Sequence, residues 1–175
     1  MSFDVNRFNV RYEKWAEESL TDYQAGKVEK VMKNYPFVIS KDVPWTPFEG
    51  EISEKTIALI ASGGLYLKDT QAPFDTEAIH GDPSFREIPK SVRQEDLGIA
   101  HSHYDHSLAL EDINTIFPIE RLIELERDGI VGTVAERHYS FSYVNNVVPL
   151  ISQHIPEVIS RLRDDGVGTV FLVPV

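Results

Sequence analysis

Hydrophobic positions change their period along this chain, and the change marks its organisation. From Ser2 to about Asn34 the spacing is helical: Phe8, Tyr12 and Trp15 fall at i, i+4 and i+7, with Glu and Lys filling the other positions. Aromatic stripes at this spacing bury area far more often than they bind cofactors, and this one is expected to pack on the main domain. The segment Asp42-Val43-Pro44-Trp45-Thr46-Pro47-Phe48 then reads as extended, because each proline disfavours helix in the residue before it. A helical arm and linker over 1–43 and a domain over 44–175 are therefore expected.

From Thr56 onward the pattern is that of strands alternating with helices. Thr56-Ile57-Ala58-Leu59-Ile60-Ala61 is a continuous apolar run closed by Ser62-Gly63-Gly64, as in a central strand buried on both faces and ending in a tight turn. Pro73 to Pro89 is loop-rich, with a turn at Gly81-Asp82-Pro83 and a short strand over Phe85-Arg86-Glu87-Ile88. Leu97-Gly98-Ile99-Ala100-His101 reads as another strand, delivering the polar run Ser102 to Ser107 at its carboxyl end. Pro118 stands where the first turn of a helix tolerates it, Ile119, Leu122, Ile123 and Leu125 supply the apolar face, and Gly129 closes the element. A further helix spans about Val148 to Asp165, with Ile151, Ile155, Val158, Ile159 and Leu162 on one face, and Gly166 leads into a last strand over Gly168 to Val175. Together these elements predict an α/β fold: an open, mostly parallel sheet with flanking helices, and an N-terminal helical arm. Ligands in such sheets sit beyond the carboxyl ends of strands, so the residue after Val175 would point into the site, and the domain is expected to be partial.

Composition narrows the function class. A length of 175 residues, 42% hydrophobic and 26% charged, suits one domain with a sizeable core. The net charge of -11 repels phosphates over most of the surface, so neither nucleic acid nor a membrane is an expected partner, and small molecules or proteins are. The start Met1 to Arg7 has no apolar core of a signal peptide, and no run approaches the roughly 20 apolar residues of a membrane span, so a cytoplasmic location is expected. With no cysteine, the chain carries no disulfide framework, thiolate metal site or thiol nucleophile. No G-x-G-x-x-G occurs, and no cofactor is expected within the chain itself.

The densest chemical cluster is His101-Ser102-His103-Tyr104-Asp105-His106. Its spacing matches H-x-H-x-D-H, the zinc-binding signature of metallo-β-lactamase-like hydrolases, in which His101, His103, Asp105 and His106 would hold metal and activate a water. That superfamily needs later ligands as well, and only His138 and His154 remain downstream.

A second resemblance covers more of the chain. Its matching stretches are Pro44-Trp45-Thr46-Pro47, Ala58 to Lys68, Ser84-Phe85-Arg86-Glu87-Ile88-Pro89, and His101 with Tyr104-Asp105. Asp112-Ile113-Asn114, Phe117 to Leu122, and Asp165-Gly166-Val167 running into Leu172-Val173-Pro174-Val175 complete the series. In this order and spacing the sequence resembles the selenoprotein B family of glycine, sarcosine, betaine and D-proline reductases. Collinear matches over about three quarters of the chain outweigh one short pattern.

The resemblance implies that the Pro-Val position is followed by selenocysteine or cysteine, the redox nucleophile, with another cysteine often close behind. A selenocysteine codon is also a stop codon, so the chain is expected to be the N-terminal part of a longer selenoprotein, with no redox residue of its own. The resemblance further implies a small amino-acid or amine substrate, reductase partner subunits and a thiol electron donor. A third possibility is a non-catalytic binding paralogue.

His101, Tyr104 and Asp105 are the catalytic candidates, since imidazole, phenol and carboxylate at a strand end can orient a substrate or move a proton. On the plainer alternative, Asp105 caps a turn and His101 bonds backbone. Gly63 and Gly64 are candidates for substrate binding through backbone N–H groups, or form only a turn. Arg86 is the better anion partner, because Arg121 lies among Glu120, Glu124 and Glu126, where i, i+3 pairing accounts for it. Asp112 and Asn114 read as turn and capping residues.

Overall fold

The computed structural model describes residues 4–38 and 46–175, and the chain divides into two compact units, Met1–Phe48 and Glu49–Val175. Most of the expected extended entry segment, including Pro44-Trp45, lies outside the described residues.

In the first unit, α1 (Val5–Gln24) starts at Asp4, whose carboxylate accepts the Arg7 N–H, and the chain turns at Gly26 (φ +72°) into α2 (Val28–Lys33). The single helical stretch expected over Ser2 to Asn34 is thus two helices, broken at the residue that takes a left-handed conformation without strain. Phe8, Tyr12 and Trp15 are buried as expected, and their cover is identified within the unit itself: the Trp15 indole N–H donates to the Val31 carbonyl (3.0 Å), and Tyr35 meets Trp15 edge to face at 4.9 Å.

The second unit is built on a four-stranded mixed sheet in the order β3-β5-β1-β6, with β1 at Ile57–Ala61, β3 at Arg86–Pro89, β5 at Arg137–Ser140 and β6 at Thr169–Val173. β1 runs parallel to both β5 and β6, while β3 pairs antiparallel with β5 at the edge. The apolar run of β1 is central, as its sequence predicts. The strand over Leu97–Ile99, β4, belongs instead to a separate antiparallel ribbon with β2 (Leu65–Leu67). A three-residue strand carries too little sequence to specify its partner, and here the turn after β1 doubles back to supply one.

Side chains alternate across β1. Ile57, Leu59 and Ala61 join the larger core with the ribbon and α4 (Ile119–Arg127), where Ile119 and Leu122 are buried. Ala58 and Ile60 face the other way, towards Tyr139 and towards Val158 and Leu162 of α6 (Ile155–Asp164). Gly129 (φ +70°) ends α4 as expected. The helix expected from Val148 to Asp165 is segmented: a turn of α5 (Val147–Pro149), a π-helical turn over Leu150–His154, then α6. Pro156 has no N–H and its ring crowds the carbonyl four residues back, which explains a widened turn there. Within α6 the buried face is Val158 and Leu162, and Ile159 is exposed rather than in the core. A charged clamp, Arg137 to Asp165 (2.6 and 2.7 Å) and Arg161 to Glu87 (2.7 Å), ties α6 to β5 and β3. No described helix is long and apolar enough to cross a membrane.

Candidate functional site

The carboxyl ends of β1 and β6 lie side by side, and the turn after β1 joins them. The Ser62 N–H donates to the Val173 carbonyl (3.1 Å), and the Ser62 hydroxyl accepts the Val175 N–H (3.0 Å). Gly64 is held at φ +72°, donating its N–H to the Phe141 carbonyl (2.8 Å) and accepting the Ala100 N–H (2.8 Å). The Leu65 N–H is taken by the buried Ser140 hydroxyl (2.8 Å). Of the two glycine N–H groups in this turn, that of Gly64 is thus engaged internally.

The histidine run folds over this turn. His101 is only 8% exposed, and its Nδ1 accepts the His103 N–H (3.2 Å), which leaves its proton on Nε2. The Tyr104 hydroxyl donates to the Gly63 carbonyl (2.9 Å), bridging 41 residues of sequence, and the Tyr104 ring meets the His101 ring at 4.9 Å. Burial holds the His101 pKa below the ordinary imidazole value, assisted by His103 and His106, and burial pushes Tyr104 up to about 12. Near neutral pH the pair is therefore an uncharged imidazole with its proton on Nε2 and an intact phenol whose proton is given to the Gly63 carbonyl.

Tyr104→Phe should lower unfolding stability by about 1 kcal/mol, because the Gly63 carbonyl loses its donor while the ring packing survives. Chemical denaturation measures this. An unchanged midpoint would show that the bond contributes nothing.

The other members of the run are directed elsewhere. Asp105 accepts the Ser107 N–H (2.9 Å) at the start of α3 (Ser107–Glu111), and that bond holds its carboxyl below the usual range. His106 Nε2 donates to the His101 carbonyl (2.7 Å), and His103 stacks on Tyr143 with ring centroids 3.8 Å apart while its Nδ1 meets the Ser102 hydroxyl (3.0 Å). The four groups of the H-x-H-x-D-H pattern thus face four different partners instead of one centre. Among the described residues, no three His, Cys, Asp or Glu side chains are grouped to hold a metal ion. The entry into α3 is what turns Asp105 away from the imidazoles.

Arg86 is not part of this cluster. Its guanidinium donates to the carbonyls of Ala72 (2.8 Å), Pro73 (3.1 Å) and Phe85 (3.0 Å) and to the Ser84 hydroxyl (2.8 Å), and lies 4.2 Å over the Phe74 ring. It clamps the loop before β3. Arg121 pairs with Glu124 (3.0 Å), and Asp112 accepts the Asn114 N–H (2.9 Å), both as the sequence suggests. Tyr143, which backs His103, carries no motif that would have marked it, and Ser62, which holds Val175, is marked only as part of the Ser62-Gly63-Gly64 turn.

Comparison with known proteins bears on what such a cluster belongs to. A family model described as glycine/sarcosine/betaine reductase selenoprotein B matches residues 7–175. The chain is 30% identical over 129 residues to the D-proline reductase subunit gamma of Acetoanaerobium sticklandii, covering 73% of this chain and 52% of that protein. It is 26% identical over 170 residues to the sarcosine reductase complex component B subunit beta of Peptoclostridium acidaminophilum, covering 95% of this chain and 39% of the relative. The glycine reductase complex component B subunit gamma of Carboxydothermus hydrogenoformans is 25% identical over 148 residues, 83% of this chain and 34% of its own. No solved structure matches. The chain spans about half the length, or less, of these curated relatives. A match running almost from end to end, through the β1 turn, the His101–Tyr104 loop and β6 alike, places this chain in the glycine/sarcosine/betaine reductase selenoprotein B family.

Proposed function

We propose that this chain forms one wall of the active site of a glycine, sarcosine, betaine or D-proline reductase-like selenoprotein. In the whole protein, a selenocysteine or cysteine following Val175 would reductively cleave a C–N bond of a small amino acid or amine. The observation that supports this most directly is the junction at the β1 turn: Val175 is held by Ser62, and Tyr104 reaches the neighbouring Gly63 carbonyl (2.9 Å). A nucleophile one residue further on would begin beside the His101–Tyr104 pair, at the carboxyl ends of parallel strands where α/β sheets place ligands.

The chemistry suits these groups. A selenolate is formed more readily than a thiolate, and in either case the ionised form attacks. As it bonds to the substrate carbon, the C–N electron pair leaves with nitrogen, which takes up a proton. His101, neutral with a proton on Nε2, is the candidate for supplying that proton, and Tyr104, whose own proton goes to the Gly63 carbonyl, is the candidate for orienting the nitrogen through its hydroxyl oxygen. A dithiol donor then cleaves the selenium–carbon bond: it supplies two electrons and is oxidised to its disulfide, the carbon takes up a proton to give the reduced product, and the selenolate is restored.

The test begins with the nucleotides after the Val175 codon, where an in-frame UGA followed by further coding sequence is expected. The protein read through that codon with cysteine in its place should reduce at least one of glycine, sarcosine, betaine or D-proline in the presence of dithiothreitol and its partner subunits. The chain ending at Val175, which has no cysteine, should reduce none. A UAA or UAG codon with no reading frame beyond it would remove the nucleophile from the scheme and leave a binding protein.

A further inference from the structure

The unexplained feature of the second unit is β6. It carries a continuous apolar sequence, Val170-Phe171-Leu172-Val173, yet lies at the edge of the sheet with Val170 36%, Phe171 46% and Leu172 64% exposed. Register with β1 shows which way each residue faces: Val170 and Leu172 align with Ala58 and Ile60 on the α6 side, Phe171 with Leu59 on the α4 side. Both faces of the strand are therefore apolar and open. A shallow groove of about 310 Å³, lined by Ile60, Phe141, Leu172 and Pro174 among others, adds to the uncovered surface at the carboxyl end.

The backbone is also unsatisfied on one side. Thr169 donates to the Thr56 carbonyl (3.2 Å) and the Val173 carbonyl accepts from Ser62 (3.1 Å), so the odd-numbered residues face β1. Alternation turns the N–H and C=O groups of Val170 and Leu172 outward. Within Thr169–Val173 no proline, lysine or bulge protects this edge, and Pro174 follows only at its carboxyl end, although natural sheets ordinarily blunt exposed edges with such devices. Strands that are apolar on both faces belong to the interior of parallel sheets covered by helices on both sides.

We propose that β6 is an interior strand of the whole protein, and that the remainder of the reductase polypeptide adds a strand along its free edge with helices over both faces. This rests on the reading that the chain is part of a longer reductase. The curated relatives supply the occupant's size, since this chain spans only 52%, 39% and 34% of them. A second copy of this chain fits less well. Antiparallel β6–β6 pairing would satisfy the edge but bring no helix over Phe171 on one face or Val170 and Leu172 on the other. Two surfaces of charge -11 would also have to approach.

Amide hydrogen exchange of the chain ending at Val175 and of the protein read through with cysteine tests this. In the short chain the Val170 and Leu172 N–H groups should exchange about as fast as exposed amides. In the read-through protein they should slow by about 100-fold or more, as expected of a central strand. Leu172→Lys in the read-through protein should return them to fast exchange and raise binding of a hydrophobic dye, while barely altering the short chain. Fast exchange at both amides in the read-through protein overturns the proposal, and so does slow exchange in the short chain accompanied by a concentration-dependent dimer. Reductase activity of the same samples separates the two readings: activity with fast exchange sinks the edge proposal alone, and slow exchange without activity sinks the reductase reading alone.

Discussion

Replacing Gly64 by alanine should destabilise the second unit by about 3 kcal/mol or more, the left-handed conformation costing about 1–2 kcal/mol and forced overlap supplying the rest. A Cβ at this position would lie 2.4 Å from the Ala100 carbonyl oxygen and 2.9 Å from the His101 Cβ. Neither neighbour can give way easily. The Ala100 carbonyl is held by the Ser142 hydroxyl (2.9 Å), and the Ala100 N–H by Gly64 itself (2.8 Å). The melting temperature should fall by on the order of 10 °C. Two controls separate the causes. Gly166→Ala has a comparable φ of +67° but open space around it, and should show the conformational cost alone. Gly63→Ala has its one tight contact at the end of the Ile116 side chain (3.0 Å), with Val175 at an ordinary 3.5 Å, and should be milder than Gly64→Ala. If Gly64→Ala costs no more than Gly166→Ala, the close approach of the β1 turn to the His101 loop does not govern stability. Under the proposed function this contact seats His101, so a read-through protein that is active should lose activity with Gly64→Ala at temperatures where it remains folded.

Which parts of this arrangement the sequence discloses depends on where the determining contacts lie. β1 is legible because a strand buried on both faces must be apolar at consecutive positions, and Ile57 to Ala61 are. α4 is legible because Pro118 and Gly129 punctuate it locally. β5 is not, although it lies between β3 and β1: Arg137-His138-Tyr139-Ser140 contains no aliphatic residue. Its place is fixed by distant partners, the His138 ring accepting the Leu59 N–H (2.9 Å) and Ser140 accepting the Leu65 N–H (2.8 Å). The same holds for the site. His101 and Tyr104 stand out as chemistry-bearing residues at a strand end, but their relation to Gly63 is a contact across 41 residues. The H-x-H-x-D-H spacing misleads for a related reason, because spacing cannot reveal that Asp105 turns away into the first turn of α3.

His138 gives the protein a stability that should fall as pH is lowered below neutrality. The ring is fully buried, its Nδ1 accepts the Leu59 N–H, and its Nε2 has no hydrogen-bond partner. Burial, assisted by the Lys90 ammonium and opposed by the Ala135 backbone, pushes its pKa down to about 4. In the unfolded chain the same group titrates near its ordinary value of about 6.5. Between these values the unfolded state binds more protons than the folded one, so stability is complete above about pH 6.5 and is lost as pH falls towards 4. The loss should be about 2 kcal/mol on going from pH 7.5 to 5. His101, also depressed by burial, adds to the slope in the same direction. Urea unfolding across this range measures the slope. His138→Asn keeps an acceptor for the Leu59 N–H but cannot titrate, so it should be less stable at pH 7.5 and should lose most of the pH dependence. If the variant is too unstable to assay, imidazole nitrogen shifts of the unaltered protein provide the check, since the folded His138 ring should remain neutral at pH 5. A ring that titrates near 6.5 in the folded state, or a variant with an undiminished slope, would show that the acid sensitivity arises elsewhere.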